Sequence, residues 1–309
     1  MPLIRLDNIS IAFGTRALLD QVCFQIDPGE RVALVGLNGA GKSTLLKLIG
    51  GQLQADGGEF WVDPSCRVAE LPQALPAADE RGVRDVVMSG LGEVVEMRQR
   101  YEELVMEHDE RTMAKLDVLQ QQIEAVDGWH LEQKVQRVME RLGLPEDRLM
   151  SELSGGWRRR AALGAALVQE PDLLLLDEPS NYLDLEATLW LENFLKSYQR
   201  TLIIVSHDRD LLTNVVETIV HLEQLKLVKY TGNYGFFEKT RAEQIALAAG
   251  MAKKQEAQRK HLQSFVDRFR AKASKARQAQ SRVKMLEKLK PIASVMEEYT
   301  VNFNFPEPE

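Results

Sequence analysis

Glycines, one lysine and two hydroxyl residues stand together in Gly36-Leu37-Asn38-Gly39-Ala40-Gly41-Lys42-Ser43-Thr44, and the spacing Gly-x4-Gly-Lys-Ser is that of a phosphate cradle. Gly36, Gly39 and Gly41 let backbone N–H groups curl around phosphate oxygens. Lys42 supplies a positive charge for the β and γ oxygens, and Ser43 offers a hydroxyl to Mg2+ at a helix N-terminus. Asn38 and Thr44 complete the stretch, so the ligand it predicts is a nucleotide. Further along, Asp177 and Glu178 form a pair of adjacent carboxylates, the first suited to a metal shell and the second to the base or orienter of an attacking water. Ser154-Gly155-Gly156 offers a second anion site, and His207 follows Ser206.

The surrounding residues predict the elements that would hold these groups. Arg31 to Val35 reads as a buried strand entering the cradle, and Leu45 to Ile49 leaves it with helical spacing. Leu173-Leu174-Leu175-Leu176 is a short apolar run closing on Asp177-Glu178-Pro179, as expected of a buried parallel strand carrying charge at its C-terminal end. Thr201 to Val205 is another such run, ending in Ser206-His207-Asp208, which brings His207 to the same edge. Ser154-Gly155-Gly156 precedes the helical run from Arg158 to Ala166 and therefore sits at a helix N-terminus.

In this order the cradle, the Leu153-Ser154-Gly155-Gly156 signature, the Leu173 to Pro179 run and His207 resemble the ATP-binding cassette superfamily, over residues 1–235. The resemblance implies an α/β P-loop nucleotide-binding domain with an all-α helical subdomain at about residues 76–165. It implies ATP and Mg2+ as ligands, with Lys42, Ser43 and Thr44 on phosphate and metal, Asp177 in the metal shell, Glu178 as catalytic carboxylate and His207 as the γ-phosphate switch. Gln73, in Glu70-Leu71-Pro72-Gln73, is similar to the residue that senses metal and water, and Phe13 to the aromatic that stacks on adenine.

The loop Ser180-Asn181-Tyr182-Leu183-Asp184 and the continuation Gly156-Trp157-Arg158-Arg159-Arg160 resemble the ABC-F proteins. Members of that family have no transmembrane domains, usually carry two cassettes joined by a charged helical linker, and act on ribosomes. The resemblance thus implies an ATPase in translation, with ribosomal RNA and tRNA as partners of the linker. The family's usual Thr-Asn-His-Leu-Asp reads here with Ser180 and Tyr182, and a single cradle and a single signature occur in 309 residues. A complete site would lie between the P-loop of one cassette and Ser154 to Gly156 of another, in cis or in a homodimer.

Composition fits such an enzyme. Apolar residues make up 44% of the chain, enough to fill one sizeable α/β core, and the longest apolar runs fall far short of the roughly 20 residues a bilayer needs. Cys23 and Cys66 show neither metal nor disulfide spacing and are expected to be reduced, core or near-core residues of a cytoplasmic protein. Met1 to Arg5 does not begin a signal peptide, and no membrane partner is expected.

The net charge of −7 is unevenly distributed. Residues 239–290 hold 15 Lys/Arg against 4 Asp/Glu, a net +11, which leaves −18 for the rest and suggests a polyanionic partner for that segment. After the turn-like Tyr230 to Gly235, helix formers continue with Gly250 alone intervening until Pro291. Leu262, Phe265, Val266 and Phe269 form one apolar face, and Val283, Leu286 and Leu289 another, so residues 236–291 are expected to make a long antiparallel helical hairpin. Its tip would expose Arg268, Arg270, Lys272, Lys275 and Arg277, with Arg282 and Lys284 on the returning helix as further nucleic-acid contacts. Residues 292–309 contain the alternating run Val301 to Phe305, which in the family opens the second cassette. Two other functions fit part of the pattern: a nucleotide-binding subunit of an ABC transporter, which has no clear use for the basic segment, and an ABC ATPase whose basic segment binds DNA.

Overall fold

A computed structural model describes residues 1–71, 73–107, 113–269, 281 and 283–285. The chain divides into two compact units, residues 1–234 and 235–309.

Within the first unit, β1 (Ile4–Phe13), β2 (Arg16–Ile26) and β4 (Gly57–Val62) form an antiparallel sheet in the order β2-β1-β4. The second sheet contains β3 (Arg31–Gly36), β5 (Val68–Leu71), β6 (Leu173–Asp177), β7 (Thr201–Val205), β8 (Thr218–Glu223) and β9 (Lys226–Thr231) in the order β5-β6-β7-β3-β8-β9. Its first five strands are parallel and β9 turns back antiparallel to β8. Every residue of β6 and of β7 is buried, which is why both read as unbroken apolar runs rather than alternating ones. Between the sheets lies α1 (Lys42–Ile49), whose Leu45, Leu46, Leu48 and Ile49 join Leu6, Ile9, Leu34 and Ile203 in one core. Each such side chain, fully buried, contributes roughly 1.5–3 kcal/mol.

The helical subdomain is built from α2 (Val83–Met88), α3 (Gly92–Glu107), α4 (Met113–Ala125), α5 (Leu131–Leu142) and α6 (Gly155–Leu167). Small residues on α6 allow very close packing: a Cβ added at Gly90 would sit 1.8 Å from the Ala165 carbonyl oxygen, so only glycine fits there. The Nζ of Lys134, buried on α5, donates to the Val126 carbonyl at 2.7 Å and to Glu170 at 3.2 Å. Glu170 also meets Arg137 and Arg67, which ties α5 to the residues leading into β6. Two carboxylates start the remaining helices of the unit. Asp184 accepts the Ala187 N–H at the head of α7 (Leu185–Ser197), and Asp208 does the same for Asp210 and Leu211 at the head of α8 (Arg209–Val215).

The helix α9 (Tyr234–Phe269), which starts at the last residue of the first unit, spans 36 residues, about 54 Å at 1.5 Å per residue. Leu262 and Val266, one turn apart, are buried. Arg268 belongs to α9, and Lys284 is helical and exposed. Arg270, Lys272, Lys275, Arg277, Arg282, the return of the expected hairpin and the tail 292–309 lie outside the described residues.

One expectation is corrected. Cys23 is exposed on β2, where its thiol faces Asn8, because the alternation of that strand turns it outward. Cys66 is half-buried and also free, and burial pushes its thiol pKa up to about 11.

Candidate functional site

Three adjacent parallel strands end at one edge of the larger sheet. β7 carries Val205 opposite Asp177 of β6 and Ile204 opposite Ala33 of β3, so the loops after all three strands meet there. β5 ends beside β6, with Leu71 opposite Leu176, and brings Gln73 to the same edge. Open parallel sheets bind ligands at such an edge, outside the carboxyl ends of the strands.

The edge opens into a cleft of about 700 Å3 lined by Phe13, Arg16, Leu18, Asn38, Gly39, Gly41, Lys42, Ser43, Thr44, Gln73, Asp177, Glu178, Asn181, Val205 and His207. Gly41 caps α1 at φ +113°, a conformation that other residues rarely adopt, and as glycine it offers no side chain to the first-turn N–H groups. Those donors remain for an anion. The Lys42 Nζ folds back to donate to the carbonyls of Gly36 at 2.8 Å and Leu37 at 3.2 Å. Burial pulls the Lys42 pKa down, against the opposing influence of Glu178 and Asp177. Gly36 is not among the residues that line the cleft, and its carbonyl accepts from Lys42.

Asp177 and Glu178 are both buried. Glu178 lies at φ +47°, unusual for a residue with a side chain, and its N–H donates to the Val205 carbonyl at 2.8 Å. Its Oε1 is 3.3 Å from Nε2 of the exposed His207. Burial raises the Glu178 pKa, which His207 and Lys42 counteract and Asp177 reinforces. An ammonium, a helix N-terminus and a hydroxyl beside two carboxylates suit a magnesium-bound polyphosphate, because Mg2+ takes one or two protein carboxylates and fills its octahedron from phosphate and water.

Ser154 and Gly156 do not line this cleft. Ser154 caps α6 without donating or accepting a side-chain cap bond, and with Gly156, Trp157, Arg160, Asp184 and Glu186 it lines a separate, smaller recess. The Arg160 guanidinium there lies between two indoles, 4.3 Å from the Trp157 ring and 4.0 Å from Trp190.

The site contains residues that sequence reasoning did not single out. Arg16 lines the cleft and its Nη2 donates to the Gly39 carbonyl at 3.1 Å, bracing the cradle from the first residue of β2. Asn181, in the loop that resembles the ABC-F proteins, also lines the cleft. Arg159, on α6 behind the cleft, is buried and donates to the carbonyls of Asp177, Glu178, Pro179 and Gln73. In the sequence Arg159 appears only within the Gly156 to Arg160 stretch that resembles the ABC-F proteins, one of three consecutive arginines.

The family described as "ABC transporter" matches residues 19–181, and a second family of the same description matches residues 220–305. The probable ATP-binding protein YheS of Escherichia coli (strain K12) is 42% identical over 305 residues, covering 98% of this chain and 47% of that protein. The ATP-binding protein Uup of Haemophilus influenzae is 40% identical over 253 residues, covering 81% and 39% respectively. The chain thus spans about half the length, or less, of these curated relatives. Among solved structures, a nucleotide-free ATP-binding cassette from an ABC transporter superposes with a TM-score of 0.57 at 22% identity, over 75% of this chain and 92% of that one. A putative metal-chelate type ABC transporter in an inward-facing conformation gives 0.57 at 21% identity, over 75% and 84%. At these identities the likeness establishes the fold, an α/β P-loop cassette with a helical subdomain. Among the described residues, no helix is long and apolar enough to cross a membrane.

Proposed function

Because this chain belongs to the ATP-binding cassette family, we propose that it binds and hydrolyses ATP as an ABC-F type protein acting on the ribosome in translation, its basic segment contacting ribosomal RNA and tRNA. The observation that carries the ATPase reading is the meeting of Lys42, Ser43, Asp177, Glu178 and His207 in one cleft at the carboxyl edge of a parallel sheet. The ABC-F assignment is supported by the Ser180 to Asp184 loop, the Trp157 to Arg160 continuation of the signature, and a segment of +11 charge that begins on α9.

In this reading Phe13 packs on the adenine ring, and Asn38, Gly39, Gly41, Ser43 and Thr44 bind the phosphates. Lys42 exchanges the carbonyls of Gly36 and Leu37 for the β and γ oxygens. Ser43, Asp177 and Gln73 would hold Mg2+, which would supply positive charge to the phosphate oxygens when bound. Glu178, ionised, orients the attacking water and accepts its proton, while His207 holds the Glu178 carboxylate on one side and reaches the γ-phosphate on the other.

The separation of cleft and signature supports a two-cassette requirement. Ser154 and Gly156 open on a recess that the chain's own cleft does not share, so each chain supplies half of two sites. Hydrolysis per molecule is therefore expected to rise with protein concentration, and total rate to rise more steeply than linearly. Steady-state phosphate release across a dilution series checks this. Specific activity independent of concentration, from a species that sediments as a monomer, would contradict the shared site. The translation role is tested by retention of the ATP-loaded chain on ribosomes, with membranes and duplex DNA as competing targets.

A further inference from the structure

Arg159 stands behind the cleft without lining it, yet one guanidinium touches the main chain beneath three of the residues that do. Its Nη2 donates to the carbonyls of Asp177 at 3.2 Å and Glu178 at 3.1 Å, its Nε to Pro179 at 3.3 Å, and its Nη1 to Gln73 at 3.4 Å. The side chain is 2% exposed, and burial pulls its pKa down to about 10. Burying a cation costs much more than burying an apolar side chain of similar length, so stability alone is a poor reason for arginine at this point.

The turn that it holds is under strain. Glu178 at φ +47° keeps its conformation only while its surroundings over-determine it. On the amide side the Val205 carbonyl accepts the Glu178 N–H, and on the carbonyl side Arg159 and the Asn181 N–H do the holding. Arg159 also belongs to α6, whose N-terminal end presents Ser154 and Gly156 to the other recess, less than two turns away. A displacement of the signature end of α6 therefore reaches the carbonyls of Gln73 and Glu178 through a planar group with a fixed fork of donors.

We propose that Arg159 is a positioning residue for hydrolysis, the rigid link through which engagement at the signature recess sets the Glu178 carboxylate and the Gln73 loop in the cleft of the same chain. This rests on the ATPase reading for its kinetic consequence, but not for its structural one.

The test uses the full chain carrying Arg159→Met, with 15N-labelled glutamate and the Glu178 amide signal identified by its loss in Glu178→Gln. If the turn relaxes, the Glu178 amide, held by the Val205 carbonyl at 2.8 Å, exchanges its proton about 10-fold or more faster, whereas mere removal of a nearby cation leaves that hydrogen bond and its protection in place. ATP turnover is expected to lose about 10- to 100-fold in kcat with KM changed by less than about 3-fold, as for a misplaced catalytic group. Unchanged protection of the Glu178 amide overturns the proposal, and so does a wild-type kcat. Should Arg159→Met fail to fold, Arg159→Lys, which keeps the charge and loses the fork, carries the same two readings. Failure of both to fold would assign the guanidinium to stability alone and overturn the link. A wild-type chain without turnover would defeat the ATPase reading, and exchange at the Glu178 amide would still decide on Arg159.

Discussion

Glu178→Gln is expected to hold ATP with nearly unchanged affinity and to hydrolyse it about 100-fold or more slowly, since losing a positioned base or water orienter costs 10²- to 10⁴-fold. The substitution keeps the volume of a buried side chain and one oxygen near His207, so the cleft stays intact while the proton acceptor is lost. Nucleotide binding is read by calorimetry and turnover by phosphate release, at protein concentrations where the wild type is active. The wild-type rate has its own pH signature. Glu178 must be ionised to act, and burial raises its pKa, so activity falls on acidification at a higher pH than an ordinary carboxylate would give. The residual rate of Glu178→Gln should lack that limb. Lys42→Ala is expected to lose binding as well, because it removes the ammonium from the cradle. A Glu178→Gln chain that turns over at the wild-type rate would remove Glu178 from the chemistry.

The second large effect concerns salt. Nine Lys/Arg lie between Arg268 and Lys290 against one acid, Glu287, and one RNA can meet only part of them. With about five phosphates neutralised at 0.7 to 0.9 each, the slope of log affinity against log salt is about −3.5 to −4.5. Between 50 and 200 mM salt, affinity for structured RNA should thus fall about 100- to 500-fold. Replacing Arg268, Arg270, Lys272, Lys275 and Arg277 with Gln in the full chain should flatten the slope and leave ATP binding at Lys42 unchanged. An unchanged slope would reduce the basic segment to a solvated surface.

What could be read from the chain, and what could not, follows from where each residue gets its meaning. β6 and β7 were legible because burial on both faces leaves only apolar side chains, and their register then fixes where Asp177 and His207 emerge. The antiparallel sheet was silent. β1 shifts register against β2 between Leu6 and Ile9 and again before Ala12, and Asn8 and Gln21 take positive φ, so the period-two alternation that marks a strand is broken. Arg158, Arg159 and Arg160 are indistinguishable in sequence, yet about 100° of helix separates each from the next. One reaches the Pro76 carbonyl, one the turn under Glu178, and one the space between two indoles, and only the packing around α6 decides which. In the sequence Asp184 reads only as part of a loop that resembles the ABC-F proteins, and the structure adds a local role, its carboxylate capping α7.

The account's central claim is that ATP bound in this cleft commits the protein to a ribosome. Glu178→Gln holds ATP without consuming it, and co-sedimentation of that variant through a sucrose cushion tests the claim most directly. The expected result is that ATP raises the fraction pelleting with ribosomes, that Lys42→Ala shows no such rise, and that neither membranes nor duplex DNA retain the protein. Retention equal with and without ATP, or retention on membranes or duplex DNA in place of ribosomes, would contradict it.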